Sequence, residues 1–256
     1  MATLKGPAVF YMHTVNAYEV STGDDTLPNI LLDVVTYPDN SLLDALYVDT
    51  ILNEPNTTAK ACWGARLQRF TLSLSTPTAP VAAPATLSPV PMEFPTINYE
   101  AYNTRPYRYM YVSFSFPPWR RYPIPVCLFV LIDLLSLACA AACCCCRRCS
   151  HSYAVGMSSF EAEFMDYLMK VDASGNSPTL SWKKPGCYAG EPIFVAHPNA
   201  TAEDDGVVLS LVLDTGSVSG ASPHSFVLLL NATTFEELAE APLWFHIPLG
   251  FHGRFF

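Results

Sequence analysis

No run of lysine or arginine stands out in this chain; 14 basic residues face 23 acidic ones, for a formal charge of -9. Phosphate binding needs a basic face, so no nucleic-acid partner is expected. No Gly-x-Gly-x-x-Gly fingerprint, Walker loop or Gly-x-Ser-x-Gly elbow occurs, which leaves no nucleotide cradle and no hydrolase nucleophile to argue from. Compact metal spacings such as His-Glu-x-x-His are missing too, so any metal site must gather ligands from distant strands. Met1 to Phe10 carries no secretory signal, since its apolar run is too short and lacks a cleavage pattern. The Asn-x-Ser/Thr matches at Asn56, Asn199 and Asn231 are therefore read as chance. Seven of nine cysteines (Cys127, Cys139, Cys143 to Cys146 and Cys149) crowd into one block, leaving only Cys62 and Cys187 elsewhere. Four cysteines in a row lack the short-turn separation that a tetrahedral zinc site needs, and no disulfide framework remains. The rest reads as a reduced, intracellular protein of cytoplasm or plastid.

What is present is hydrophobic and strand-like. At 256 residues the chain can bury one sizeable core, or one domain plus an appendage. Short apolar runs such as Asn29 to Thr36 and Ala45 to Asp49 are separated by turn signals at Ser21 to Asp25 and Tyr37 to Asn40. Further strands are expected at Arg66 to Ser75, Tyr107 to Tyr111, Leu168 to Asp172 and Thr179 to Trp182. The pattern continues at Pro192 to Ala196, Val207 to Asp214 and Ser225 to Leu230. Thr76 to Met92 is a Pro/Ala-rich connector, and proline removes ladder donors, so an exposed loop is expected there. Glu203 to Gly206 reads as an acidic hairpin turn with Asp205-Gly206 supplying a positive φ. Thr233 to Glu240 is the one short helical turn expected, with a threonine cap. The fold class is all-β.

One block does not fit. Val126 to Cys146 is 21 residues long, with Asp133 and Ser136 its only polar side chains. That length permits a membrane-spanning helix, with Arg147 and Arg148 as a positive flank. Against it, Asp133 near the middle costs about 2.5–3.5 kcal/mol on insertion scales. A buried helix is a second reading. Translated non-coding sequence is the third and carries the most weight, because pyrimidine-rich tracts before splice acceptors encode Leu, Phe, Ser, Pro and Cys.

The six histidines are His13, His151, His197, His224, His246 and His252, and spacing alone singles out none of them. Five segments change this. His13-Thr-Val-Asn-Ala-Tyr-Glu19, Glu93-Phe-Pro-Thr-Ile-Asn-Tyr99 and Glu191-Pro-Ile-Phe-Val195 occur in order, followed by Glu203 to Ser210 and Phe251-His-Gly-Arg-Phe255. In that order they resemble the carotenoid oxygenase family, which includes carotenoid-cleaving dioxygenases and a retinoid isomerase. The resemblance implies a seven-bladed β-propeller with Fe(II) on its axis, held by four histidines, of which His13 and His252 match the last two. Glu93 and Glu191 match the carboxylates that accept a hydrogen bond from a ligand imidazole. His151, His197, His224 and His246 match no ligand motif, and Thr14 stands where many relatives have a second histidine. The implied chemistry is cleavage of a conjugated double bond in a carotenoid or retinoid polyene by O₂, with peripheral membrane contact left open.

The expected organisation has three parts: family sequence over 1–111 with the connector at 76–92, an apolar Cys-rich insert over 112–153 read as a retained intron, and family sequence again over 154–256. The expected architecture is the C-terminal blades of a propeller, interrupted by an insert whose length permits a helix. Two histidines and a carboxylate of the family pattern would lie upstream, so an inactive fragment is expected. The competing expectation is a non-enzymatic β protein anchored by a helix at 126–146.

Overall fold

A computed structural model of the chain describes residues 3–21, 23, 27–53, 64–76, 78–88, 90–114, 166–245, 247 and 252–255. Among them lie three antiparallel sheets, each built from strands that follow one another in sequence. The first runs β1 (Phe10–Val20), β2 (Asn29–Tyr37), β3 (Arg66–Ser73) and β4 (Ala85–Ser88). The second runs β5 (Glu93–Thr96), β6 (Tyr109–Phe114), β7 (Tyr167–Asp172) and β8 (Leu180–Trp182). In the third, β9 (Cys187–Ala189) and β10 (Ile193–Ala196) both pair with β11 (Gly206–Asp214), which continues to β12 (His224–Asn231) and β13 (Glu237–Pro242). The all-β expectation holds, and all the pairings are antiparallel.

Strand alternation tells which sheet packs on which. Successive side chains point to opposite faces. In the second sheet Met110, Val112, Met169 and Val171 join the first sheet's Val15, Val35 and Leu67 in one buried cluster. Tyr111 and Leu168, from the opposite face, join Val208, Val212, Leu228 and Leu230 of the third sheet in another. The second sheet is thus covered on both faces, which explains why Leu168 through Asp172 are all buried. Polar bridges accompany each apolar layer. Asp33 of β2 receives two bonds of 2.7 Å from the Arg69 guanidinium and one of 2.7 Å from the Tyr107 hydroxyl. Between the other two sheets, Lys170 Nζ lies 2.5 Å from Asp204 Oδ2 and donates to the Thr233 carbonyl.

Several local expectations are corrected. Ala45 to Asp49 is not a strand; α1 (Ser41–Ala45) and α2 (Val48–Asn53) occupy that stretch, with Leu42 and Ala45 of α1 buried. A third short helix, α3 (Tyr99–Tyr102), follows β5. Thr233 to Glu240 is not helical. The Asn231 side-chain oxygen accepts bonds from the backbone N–H groups of Thr233 and Thr234, closing a turn, and Phe235 has φ 62°. The chain then enters β13, whose Glu237–Pro242 backbone pairs with β12 instead.

The Pro/Ala connector contains β4, a short edge strand on β3 lying between Pro84 and Pro89, as the edge rule for proline allows. Gly206 does not take a positive φ; glycine is required there because a Cβ would lie 2.3 Å from the Val195 carbonyl oxygen. β6 does not stop at Tyr111 but pairs on through Val112↔Met169, Ser113↔Leu168 and Phe114↔Tyr167. Val112 and Ser113 are fully buried, so three residues assigned to the insert belong to the sheet. The rest of the insert, including Val126 to Cys146 and His151, lies outside the described residues, as do Cys62, Asn56 and His246. No helix among the described residues is long and apolar enough to cross a membrane.

Candidate metal centre

Three of the four residues singled out by resemblance sit where a strand departs from regular pairing, and His252 lies outside the strands. His13 follows a register shift in β1 between Tyr11 and His13. Glu93 precedes another in β5, where the ladder skips from Glu93↔Ser113 to Thr96↔Tyr111. Glu191 occupies the break between β9 and β10, two strands that share one edge of β11. Such irregularities re-aim a side chain that a regular strand would point into the sheet stack. The break is pinned on both sides. Gly190 N donates to the Leu211 carbonyl at 2.9 Å, and the Gly190 carbonyl accepts from Ser113 Oγ at 2.8 Å and Ser210 Oγ at 3.1 Å.

These departures bring two imidazoles together. His13 Nδ1 lies 2.6 Å from Glu93 Oε2, and His252 Nδ1 lies 3.3 Å from Glu191 Oε1. The second carboxylate is held from the other side, since Gly253 N donates to Glu191 Oε2 at 3.0 Å. With each Nδ1 committed to a carboxylate, each Nε2 presents its lone pair, and the two Nε2 atoms face one another at 3.4 Å. The Glu93 hydrogen bond raises the pKa of His13 above its ordinary value, against burial, which works the other way.

Two residues of the site carried no sequence flag of their own. Phe94 has its ring centroid 5.0 Å from that of His13 and 5.6 Å from that of His252. Its φ of 51° lies in the left-handed region, a strain on the order of 1–3 kcal/mol for a non-glycine residue. The second is Tyr37, at the end of β2, whose hydroxyl donates to Glu93 Oε1 at 2.5 Å. His197 and His224 lie apart from this cluster; His197 pairs with Asp205 at 2.9 Å and the His224 ring packs against Phe226. The Glu203–Gly206 carboxylates serve the fold, with Glu203 accepting from the backbone N–H groups of Arg108 and Tyr109.

The donor set fits a borderline cation. Neutral imidazoles suit Fe, Co, Cu and Zn, and a carboxylate on the far ring nitrogen fixes the tautomer and raises ligand basicity. The two Nε2 atoms, 3.4 Å apart, could both reach one cation at ordinary metal–imidazole distances of about 2.0–2.1 Å. Among the described residues no cluster of three or more His, Cys, Asp or Glu forms a metal site, so these two imidazoles are a partial set. His13 is mostly buried, whereas the His252 side chain is 61% exposed. Beside the site opens a cleft of about 1440 Å³, lined by Thr14, Asn16, Pro95, Glu191, Phe194 and Gly253 among others.

Comparison with known proteins places this arrangement in context. The sequence model of the family described as retinal pigment epithelial membrane protein matches residues 2–256. A torulene dioxygenase of Fusarium fujikuroi is 28% identical over 273 residues, covering 99% of this chain and 39% of its own length. A carotenoid isomerooxygenase of Galleria mellonella is 29% identical over 250 residues, covering 96% of this chain and again 39% of the relative. A cobalt-substituted apocarotenoid oxygenase of Synechocystis shares the fold at a TM-score of 0.59 and 22% identity, over 96% of this chain and 39% of that one. The chain therefore spans about two fifths of the relatives it matches.

Proposed function

The chain belongs to the RPE65/carotenoid oxygenase family, and from that premise we propose that it supplies half of the metal-holding imidazoles of a carotenoid-cleaving dioxygenase. The observation that carries this reading is the convergence of His13 Nε2 and His252 Nε2, each ring backed by its own carboxylate. The three sheets are read as neighbouring blades of a seven-bladed propeller, with β1, β5 and the β9–β10 pair as the innermost strands. His13, Glu93 and Glu191 all lie on those strands or in the break between them.

Fe(II) is the ion proposed, and once bound it would supply the O₂ chemistry by which a conjugated C=C bond becomes two carbonyl groups. The protein's part is orientation. Glu93 and Glu191 hold the Nδ1 protons of His13 and His252, so both rings keep Nε2 as the donor atom. Phe94 packs against both rings and limits their rotation. Two imidazoles hold an ion less firmly than four, so the chain by itself is proposed to be inactive. The substrate class, a carotenoid or apocarotenoid polyene, rests on the names of the relatives.

The part of the insert beyond Phe114 is proposed to be retained intron sequence. Supporting this, Phe114 and Tyr167 are directly paired neighbours on β6 and β7. A segment that crossed a membrane once at 126–146 would have to cross back to rejoin its partner strand. Sequencing the mature message decides this. Absence of the codons for the block supports the intron reading, whereas their presence together with membrane fractionation of the product favours an anchor. For the metal site, titrating the chain with Co(II) should show binding that His13→Ala and His252→Ala each abolish. One iron per chain together with O₂-dependent carotenoid cleavage would overturn the proposal that the chain alone is inactive.

A further inference from the structure

Resting on that reading of the metal site, we propose that Tyr37 is a positioning residue for it, acting through Glu93. Three donors meet at the Glu93 carboxylate. His13 Nδ1 and Phe94 N both bond Oε2, at 2.6 and 3.0 Å, while Tyr37 OH bonds Oε1 at 2.5 Å. A carboxylate held through one oxygen pivots about it, and holding both oxygens fixes its plane. Tyr37 is the donor recorded on the second oxygen, and that donor is well placed to be rigid. The residue is 4% exposed, lies at the β2 terminus opposite Phe10, and has its ring 6.0 Å from that of Phe10. The relay therefore runs from a buried β2 side chain, through a β5 carboxylate, to an imidazole on β1. It spans two sheets, so the orientation of His13 depends on how the first and second sheets are docked.

Removing the hydroxyl should loosen His13 without touching it. In Tyr37→Phe the ring and its packing remain while Glu93 Oε1 loses this donor. Outer partners of metal-binding histidines change affinity by about 10–100-fold; one step further out, a loss of about 3–10-fold is expected.

The test uses the full chain and Co(II), with two readouts. Without metal, the His13 Nδ1 proton should exchange with water faster in Tyr37→Phe than in the unsubstituted chain, at an unchanged far-UV spectrum. With Co(II), affinity should fall and the visible absorption band should shift, with Glu93→Gln setting the upper limit of both changes. The unsubstituted chain gives a third measurement that does not require the variant to fold: adding diamagnetic Zn(II) should move the Tyr37 ring-carbon resonance that bears the hydroxyl. Unchanged exchange and affinity in Tyr37→Phe, or an unmoved Tyr37 resonance on saturation with Zn(II), overturns the proposal. Failure of the unsubstituted chain to bind either ion overturns the metal reading instead, and the metal-free exchange measurement still decides the role of Tyr37.

Discussion

The Nε2 atoms of His13 and His252 lie 3.4 Å apart although 239 positions separate the two residues in sequence. Phe94 packs against both rings. They are placed from behind, by Glu93 and Glu191, on irregular turns of two different sheets. If orientation from behind is what makes the pair a metal site, then removing a carboxylate should weaken binding while both imidazoles remain. Glu93→Gln and Glu191→Gln are each expected to lower Co(II) affinity by about 10–100-fold, read by spectroscopic titration. Glu93→Gln should be the more damaging, since its bond to His13 is 2.6 Å and that to His252 is 3.3 Å. Equal affinity in both variants and the unsubstituted chain would show that the carboxylates are irrelevant to the site.

How much of this could be read from sequence did not follow segment length alone, since β8 and β10 were expected at three and four residues and the eleven-residue β1 was not singled out. β2, β3, β11 and β12 run eight residues or more, long enough for apolar alternation between turn signals to declare them. β5 and β9, of four and three residues, were not singled out as strands, and both adjoin the site. The helical reading of Thr233 to Glu240 failed because Glu, Leu and Ala favour helix locally, while the Asn231 turn and the β12 edge offered the backbone a better set of partners. His13, His252, Glu93 and Glu191 were reached only by resemblance. Tyr37 was invisible because a buried tyrosine at a strand end looks like any other core residue until its hydroxyl has a partner.

The two ion pairs of Lys170 and Lys184 should behave differently. Lys170 and Asp204 are both nearly buried, with side-chain exposures of 6% and 11%. Lys170→Ala strands a buried carboxylate and is expected to cost about 3–5 kcal/mol in urea unfolding. Lys184 and Glu240 form a solvated pair with exposures of 41% and 27%, and Lys184→Ala should cost about 0–1 kcal/mol. Comparable losses in the two variants would mean that Lys170 contributes packing rather than charge.

Cys187 should be chemically quiet. Burial, helped by the nearby Asp214 charge, pushes its thiol pKa up to about 12, with Lys184 opposing. A thiol raised to that value is thiolate at only about one part in 10⁴ at pH 8, and the thiolate is the reactive form. Iodoacetamide at pH 8 should therefore leave Cys187 unmodified in the folded chain, and label it once urea unfolds the third sheet. Peptide mapping by mass spectrometry reads this directly; rapid labelling in the folded chain would contradict the buried placement on β9, paired to β11.

Acid should unfold the protein partly through Asp172. Burial works to raise the pKa of this carboxyl, but bonds from the Arg108 guanidinium and from the hydroxyl and N–H of Ser174 outweigh it and hold the group well below the usual carboxylate range. A folded-state pKa below the unfolded value of about 3.9 means that the unfolded chain binds this proton first. The contribution to stability is therefore complete at neutral pH, begins to shrink near the unfolded value, and is lost as pH falls through the folded one. Asp172→Asn removes the group that titrates. Urea midpoints of the two chains should differ by a constant amount between about pH 5 and 7, and the gap should narrow from about pH 4 downward. A gap that stays constant to pH 3 would mean that Asp172 is not depressed, and that Arg108 contributes by packing over the Tyr109 ring, 4.9 Å from its centroid, rather than by charge.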